Sequence, residues 1–207
     1  MGRLTDGGWD MCLSGPYQPK SQCLVYSFGI SQDWSFDDQI SNEFGCHVRA
    51  FDPYISLPEH EHSELVKFFP VGLSARNMEK IYSGNVIKLK TLSSLLEELS
   101  DTKKTIDFLK IDVEDSEWDV MPEMLRSGSL DNVKQLALEL HTKADTTIQD
   151  YRLYLETLYT LESRGFKKWT YHLNPRCTYH LPDINRYFSH CQEVYYVNLD
   201  YLTPDQL

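Results

Sequence analysis

Two short runs in this chain carry residue types able to do acid–base work. In Lys110-Ile-Asp-Val-Glu114 two carboxylates, Asp112 and Glu114, stand two apart, and in Glu139-Leu-His141 a carboxylate and an imidazole do the same. On an extended chain residues two apart share a side, so each run would offer its pair in one direction where its strand ends. Two carboxylates and an imidazole converging on one cleft can take a proton from a hydroxyl or hold a divalent cation, and His is a natural base near neutral pH. The purely structural alternative has Lys110 paired to a neighbouring carboxylate and His141 simply exposed.

A second constellation concerns binding. Gly29 ends the apolar run that begins at Cys23, and a glycine there lets backbone approach a ligand with no Cβ in the way. Asp52 stands 23 positions later, near the roughly 20-residue offset at which a strand-two carboxylate meets ribose hydroxyls in dinucleotide folds. The turn Gly29-Ile-Ser-Gln-Asp33 carries one glycine rather than three, so the pyrophosphate cradle is missing. The ligand implied is a nucleoside without phosphates, and Asp33 would suit a cationic one. A glycine turn followed by a surface aspartate is the alternative that needs no ligand.

These residues need elements to hold them. Spacing predicts a strand at 23–28, a helix at 35–44 capped by Ser35 and ended by Gly45, and a strand at 46–52 stopped by Pro53. A short third strand is expected at 68–74, an extra or edge strand at 85–90, and a leucine-striped helix at 91–99. A strand at 106–113, a helix at 116–126 closed by Gly128 and a strand at 133–141 follow. Apolar residues at 151, 154, 155, 158 and 161 mark a long amphipathic helix over 147–164, and 166–171 and 193–199 read as two final strands. The loop between those strands holds Asn174, Pro175, Arg176, Tyr179, Pro182 and Arg186. Glu59-His-Glu-His62, in a Pro-flanked polar connection, reads as solvated loop rather than a metal cluster, so no metal ligand set is assigned, although Asp112, Glu114 and Glu139 could hold an ion. Residues 1–22 read as an irregular lead-in whose Trp9 could pack over the domain or cover the cavity, and 23–207 as a single domain. Strand–helix alternation argues for an α/β fold, a mostly parallel sheet with helices on both faces and a ligand site beyond the carboxyl ends of the strands.

Composition narrows the partners. The 207 residues carry 31 acidic and 20 basic side chains, a formal net charge of −11, which opposes binding to a phosphate backbone and makes a nucleic-acid substrate unfavoured. Five cysteines show no C-x-x-C spacing, so neither a zinc knuckle nor a redox pair is expected. Cys23 and Cys46 open two strands and read as small buried hydrophobes; the alternative is a Cys12–Cys23 or Cys177–Cys191 bridge in a secretory compartment. No apolar run reaches the roughly 20 residues of a membrane span and no leader is visible, so the cytosol is the default expectation.

Read in order, Cys23-Leu-Val-Tyr-Ser-Phe-Gly-Ile, Phe51-Asp-Pro53, Ile106-Asp-Phe-Leu-Lys-Ile-Asp-Val-Glu-Asp-Ser-Glu-Trp118 and Glu139-Leu-His141 resemble the methyltransferase-like family within the wider FkbM-like group of S-adenosylmethionine-dependent methyltransferases. The likeness runs from Asp6 to Leu199. It implies a Rossmann-like class I methyltransferase fold with a mostly parallel seven-stranded sheet, S-adenosylmethionine as cofactor, and O-methylation of a small-molecule or glycan-like acceptor. It further implies that Ser27, Phe28 and Gly29 contact the methionine part of the cofactor and Asp52 its ribose. The 70–74 segment would lie near the adenine, and Asp112 where cofactor and acceptor meet. Asp112 or His141 would be the catalytic base. Two other classes remain open: a binding or scaffold protein that keeps the sheet without turnover, and a dinucleotide oxidoreductase, which the single glycine disfavours.

Overall fold

Strand β1 (Leu24–Phe28) is buried along its whole length, as a strand covered on both faces must be. In the computed structural model, which describes residues 1–3, 8–114, 116–143, 145–181 and 185–203, it is followed by α1 (Ser35–Phe44), β2 (His47–Phe51), β3 (His60–Glu61), β4 (Val66–Phe69), β5 (Val71–Leu73), β6 (Met78–Tyr82) and β7 (Asn85–Lys90). Then come α2 (Leu92–Glu98), β8 (Phe108–Ile111), α3 (Glu117–Ser127), β9 (Gln135–His141), α4 (Ile148–Ser163), β10 (Phe166–Leu173), β11 (Thr178–Leu181), β12 (Arg186–Ser189) and β13 (Cys191–Asn198).

The main sheet has eight strands in the order β10-β13-β9-β8-β1-β2-β4-β3. Seven were expected; the eighth is the two-residue edge strand β3, antiparallel to β4, which takes up part of the 59–62 connection read as solvated loop. Strands β4, β2, β1, β8 and β9 are mutually parallel, and β13 runs antiparallel between β9 and β10. From β1 the chain goes outward to β2 on one side and returns to β8 on the other, so strand order reverses at β1 and opens a crevice at the carboxyl ends of β1 and β8. That topology is the expected Rossmann-like one.

Side-chain alternation along β1 feeds two cores. Leu24, Tyr26 and Phe28 face α2 and α3, joining Leu95, Met121 and Leu138. Val25 faces α1, joining Phe36, Ile40, Val48 and Phe68. The lead-in covers the remainder of the second face. Trp9 is buried against Tyr195, Tyr17 Oη donates to the Asn198 carbonyl, and the Gln135 side chain bonds the backbone of Cys12 and Tyr17. Beneath β1 and β2, Asp101 takes hydrogen bonds from Tyr26 Oη (2.8 Å), Arg49 Nε (2.5 Å) and an ion pair with Lys104 (2.7 Å).

Several expectations need correction. The N-cap of α1 is Trp34 without a side-chain bond, and Ser35 is the first helical residue. Pro70 splits the third strand, so that β5 leaves the main sheet and pairs with β7 in a separate three-stranded sheet, β5-β7-β6. Strands β6, β11 and β12 lacked a sequence signal because they lie in hairpins that are mostly exposed, so no core selects an alternating pattern. Helix α4 has its capping box at Thr147 and Asp150, yet of the expected apolar stripe only Leu161 is fully buried, while Tyr151 and Leu155 are exposed. The cysteines pair as Cys23–Cys46 and Cys177–Cys191, with Cys12 free. The first pair precedes Leu24 and His47, which are register partners in parallel strands, so the two side chains flank one another directly. Pro182 lies outside the described residues. Among the described residues no helix is long and apolar enough to cross a membrane.

Candidate functional site

Two cavities open at the carboxyl ends of the parallel strands and share Gly29, Ser31, Asp112 and Glu114 in their walls. The first, about 290 Å³, is bounded by the ends of β1 and β2, the turn after each, the β5 segment and the β8 end. Gly29, the residue after β1, packs against Asp112, the residue after β8. It has φ +75, and a Cβ there would stand 1.6 Å from the Asp112 carbonyl oxygen. Its N–H donates to the Phe51 carbonyl (3.0 Å), and the Asp112 N–H donates to that of Phe28 (3.2 Å). Lys110, buried below, donates from Nζ to the carbonyls of Phe28 (3.1 Å) and Gly29 (2.7 Å) and lies over the Trp9 ring. The glycine turn is therefore held from three sides.

Asp52 reaches this cavity from the end of β2. Its Oδ2 accepts the Ser31 N–H (2.9 Å) and its Oδ1 the Tyr54 N–H (2.8 Å). Each oxygen keeps a second lone pair, so a carboxylate fixed in this way can accept two adjacent ribose hydroxyls. Phe28 stacks on Phe51 beside it (4.5 Å between ring centres). Gly72 closes the far wall, where a Cβ would fall 2.6 Å from Leu89 and 2.7 Å from Pro53. Gly72, Leu73 and Ser74 of the 70–74 segment line the cavity. Ser27 does not: its side chain is fully buried one residue short of the cavity wall. An adenosine-sized group with no phosphates, a fixed carboxylate for its ribose and a backbone turn for its tail thus fit these walls.

The second cavity, about 410 Å³, lies between β1, β8 and β9 and under the turn that leads into β11. Asp112, Glu139 and His141 meet here, as the sequence anticipated. Burial pushes the Asp112 carboxyl up to about 7, against the pull of Lys110 and reinforced by Glu139. Glu139 is likewise raised by burial, although Asn174 Nδ2 donates to its Oε1 (2.9 Å). Burial alone would lower His141, but the hydrogen bond and charge of Glu117, with the charges of Glu139 and Asp112, hold it up at about 9. Burial also pushes Asp37, in the cavity wall, up to about 6 despite Lys110. Glu114 departs from the expected geometry. The strand ends at Ile111, Glu114 has φ +52 and an exposed side chain, and its Oε2 stands 3.6 Å from His141 Nε2. Asp33, in the same wall, pairs with Arg3 (3.1 Å).

Trp9 and Lys110, both weighed from the sequence, line the second cavity, whereas Glu117 and Asp37 are residues that motif reading did not single out. Glu117 is wholly buried in the first turn of α3. Its Oε1 accepts the Val113 N–H (2.9 Å) and faces His141 Nδ1 (3.2 Å). Trp118 Nε1 donates to the His141 carbonyl (2.6 Å), so β9 is fixed at both ring and backbone. The available signal was a carboxylate five residues after Asp112, at the helix start, where acidic residues suit the dipole. The Glu59–His62 stretch forms no metal cluster among the described residues. His62 stacks on Trp34 (3.9 Å) and meets Asp38 (3.1 Å), while Glu59 and Glu61 pair with Lys67.

A family model described as a methyltransferase domain matches residues 1–197 of this chain. A human protein named "Probable methyltransferase-like protein 24" is 26% identical over 175 residues, covering 77% of this chain and 46% of that protein. The rat protein of the same name is 29% identical over 154 residues, 66% of this chain and 40% of that one. The chain spans less than half the length of these curated relatives. Similar solved structures include an Aeropyrum pernix fibrillarin with natively bound S-adenosyl-L-methionine (TM-score 0.43, 14% identity, 90% of this chain and 70% of that one). Another is a Geobacter metallireducens precorrin-6y C5,15-methyltransferase (TM-score 0.38, 9% identity, 88% and 82%). The strand order given above, rather than these overlaps, carries the fold.

Proposed function

The chain belongs to the methyltransferase family whose domain model spans its residues 1–197, and from that footing we propose that it moves a methyl group from S-adenosylmethionine to a hydroxyl of a small or glycan-like acceptor. The observation that carries this reading is the shared wall at Gly29 and Asp112, which borders both a cavity of about 290 Å³ and a second one holding several carboxylates. When bound, S-adenosylmethionine supplies an already activated methyl, so positioning is the main task left to the protein. Asp52 would hold the ribose hydroxyls, Phe28 and Phe51 would pack beside the nucleoside, and Gly29 would admit the methionine portion to that wall. An acceptor hydroxyl entering the second cavity has a proton to lose. Asp112, whose carboxyl titrates near neutrality, would take it, with His141 beside it. The carboxylates around that point repel an anionic acceptor and accept hydrogen bonds from a neutral polyol. Residues 23–207 would act as one catalytic unit.

Melting the full chain with S-adenosylmethionine, S-adenosylhomocysteine and NAD tests the class. Stabilisation by the first two and not by NAD is expected; stabilisation by NAD alone would sink the proposal. Transfer of isotope-labelled methyl to a panel of polyhydroxylated acceptors, with Asp112→Asn as the inactive partner, then tests the reaction. Binding without transfer to any acceptor would point instead to a scaffold that has lost turnover.

A further inference from the structure

Behind the wall of the second cavity, which includes Asp112 and His141, lies a further carboxylate, Glu117, that is wholly buried. Ligand-capable atoms of Asp112, Glu117 and His141 all lie within 4.8 Å of one another, and they arrive from three elements: the turn after β8, the first turn of α3 and the end of β9. Two neighbouring ligands on one ion at about 2.1 Å each stand about 3.0–3.4 Å apart, a separation that Glu117 Oε1 and His141 Nδ1 already have at 3.2 Å, so Asp112 is the ligand that must close in. Glu139, buried in the same wall, holds Asn174 through its Oε1 (2.9 Å).

Glu117 supplies the independent sign of a missing partner. Its side chain is fully buried, and while Oε1 is hydrogen-bonded, Oε2 is buried with no hydrogen-bond partner among the described residues. A buried carboxylate oxygen left unsatisfied is costly, and an ion is one of the few things that removes the cost. We propose that Asp112, Glu117 and His141 bind a divalent cation, with its open positions facing the acceptor cavity. Two carboxylates and one imidazole suit a cation that accepts mixed oxygen and nitrogen ligands, such as Mn²⁺, better than Ca²⁺ with its all-oxygen preference. The neighbouring constellation of Glu139, His141 and Cys191 offers no thiolate, because Cys191 is bonded to Cys177. Ion binding does not itself depend on the methyl-transfer reading.

The test is titration of chelator-treated, cofactor-free full chain with MnCl₂ alone, read by calorimetry and by loss of the free-ion paramagnetic resonance signal. One ion per chain is expected. Asp112→Asn and His141→Gln should each weaken binding at least about tenfold, and Glu117→Gln by about 10–100-fold. The surface substitution Glu61→Gln should leave binding unchanged. Melting curves without Mn²⁺ identify folded variants; Glu117→Gln is the one most at risk of unfolding, so Asp112→Asn and His141→Gln are the deciding substitutions. No uptake by the unaltered chain up to about 1 mM, or binding within about twofold in both of those variants, overturns the proposal. Failure of the same preparation to bind S-adenosylmethionine would count against the methyl-transfer reading and leave the ion site standing.

Discussion

Gly29→Ala is the substitution with the largest effect that can be worked from geometry. The residue has φ +75, a conformation that costs an L side chain about 1–2 kcal/mol. The added Cβ would also lie 1.6 Å from the Asp112 carbonyl oxygen and 2.8 Å from its carbon. Those are backbone atoms and cannot swing away, so the ends of β1 and β8 must part, at a further cost of about 1–3 kcal/mol by analogy with overpacked cores. The total, about 2–5 kcal/mol, corresponds to a fall in melting temperature of about 4–20 °C for a chain of this size. Gly45→Ala is the built-in control. It has a similar φ of +68 with nothing within 4 Å of its would-be Cβ, so it should pay only the backbone cost. Urea denaturation of both variants, paired with calorimetric titration of S-adenosylhomocysteine, separates the terms. Gly29→Ala should lose more stability than Gly45→Ala and should also lose affinity, because Gly29 and Asp112 border both cavities. Equal destabilisation with unchanged affinity would refute the argument that this close approach builds the site.

Two further outcomes follow from the same structure. Burial would raise the Asp101 carboxyl, but the bonds from Arg49, Lys104 and Tyr26 outweigh it and hold it below the usual carboxylate range. Its contribution is therefore present above the unfolded value of about 3.9 and lost as pH falls through the folded value, so Asp101→Asn should flatten the acid limb of a urea-midpoint profile; an unchanged limb would place acid sensitivity elsewhere. The Cys23–Cys46 bridge closes a sequence separation of 23 residues, so its loss in a Cys23→Ser/Cys46→Ser double variant should cost about 3 kcal/mol by chain entropy, and an unchanged urea midpoint would contradict the pairing.

The parts of the fold legible in the sequence are those where burial imposes a pattern. β1, β2, β8 and β9 show it as apolar runs, α1 as apolar residues four apart, and Gly29 with Asp52 as an offset fixed by the βαβ unit. The hairpins β6–β7 and β11–β12 are legible partly or not at all, because one strand or both bury no continuous face. At the site, Asp112, Glu139 and His141 are legible because parallel neighbours end on the same side of the sheet. Glu114 falls elsewhere than expected because two-residue alternation stops with the strand, three residues before it. Glu117 escapes a motif reading because it meets His141 only through the packing of α3 on β9, a contact that spacing along the chain does not encode. The Cys23–Cys46 pairing depends in the same way on strand register.

The central claim is that the first cavity holds the adenosine of S-adenosylmethionine through Asp52. Calorimetric titration of S-adenosylhomocysteine into the unaltered chain and into Asp52→Ala tests it most directly. Hydrogen bonds to a charged group are worth about 1.5–3 kcal/mol each, so the account predicts saturable 1:1 binding that weakens by at least about tenfold in the variant, with melting in the absence of ligand showing it still folded. Equal affinity in the two proteins would contradict it.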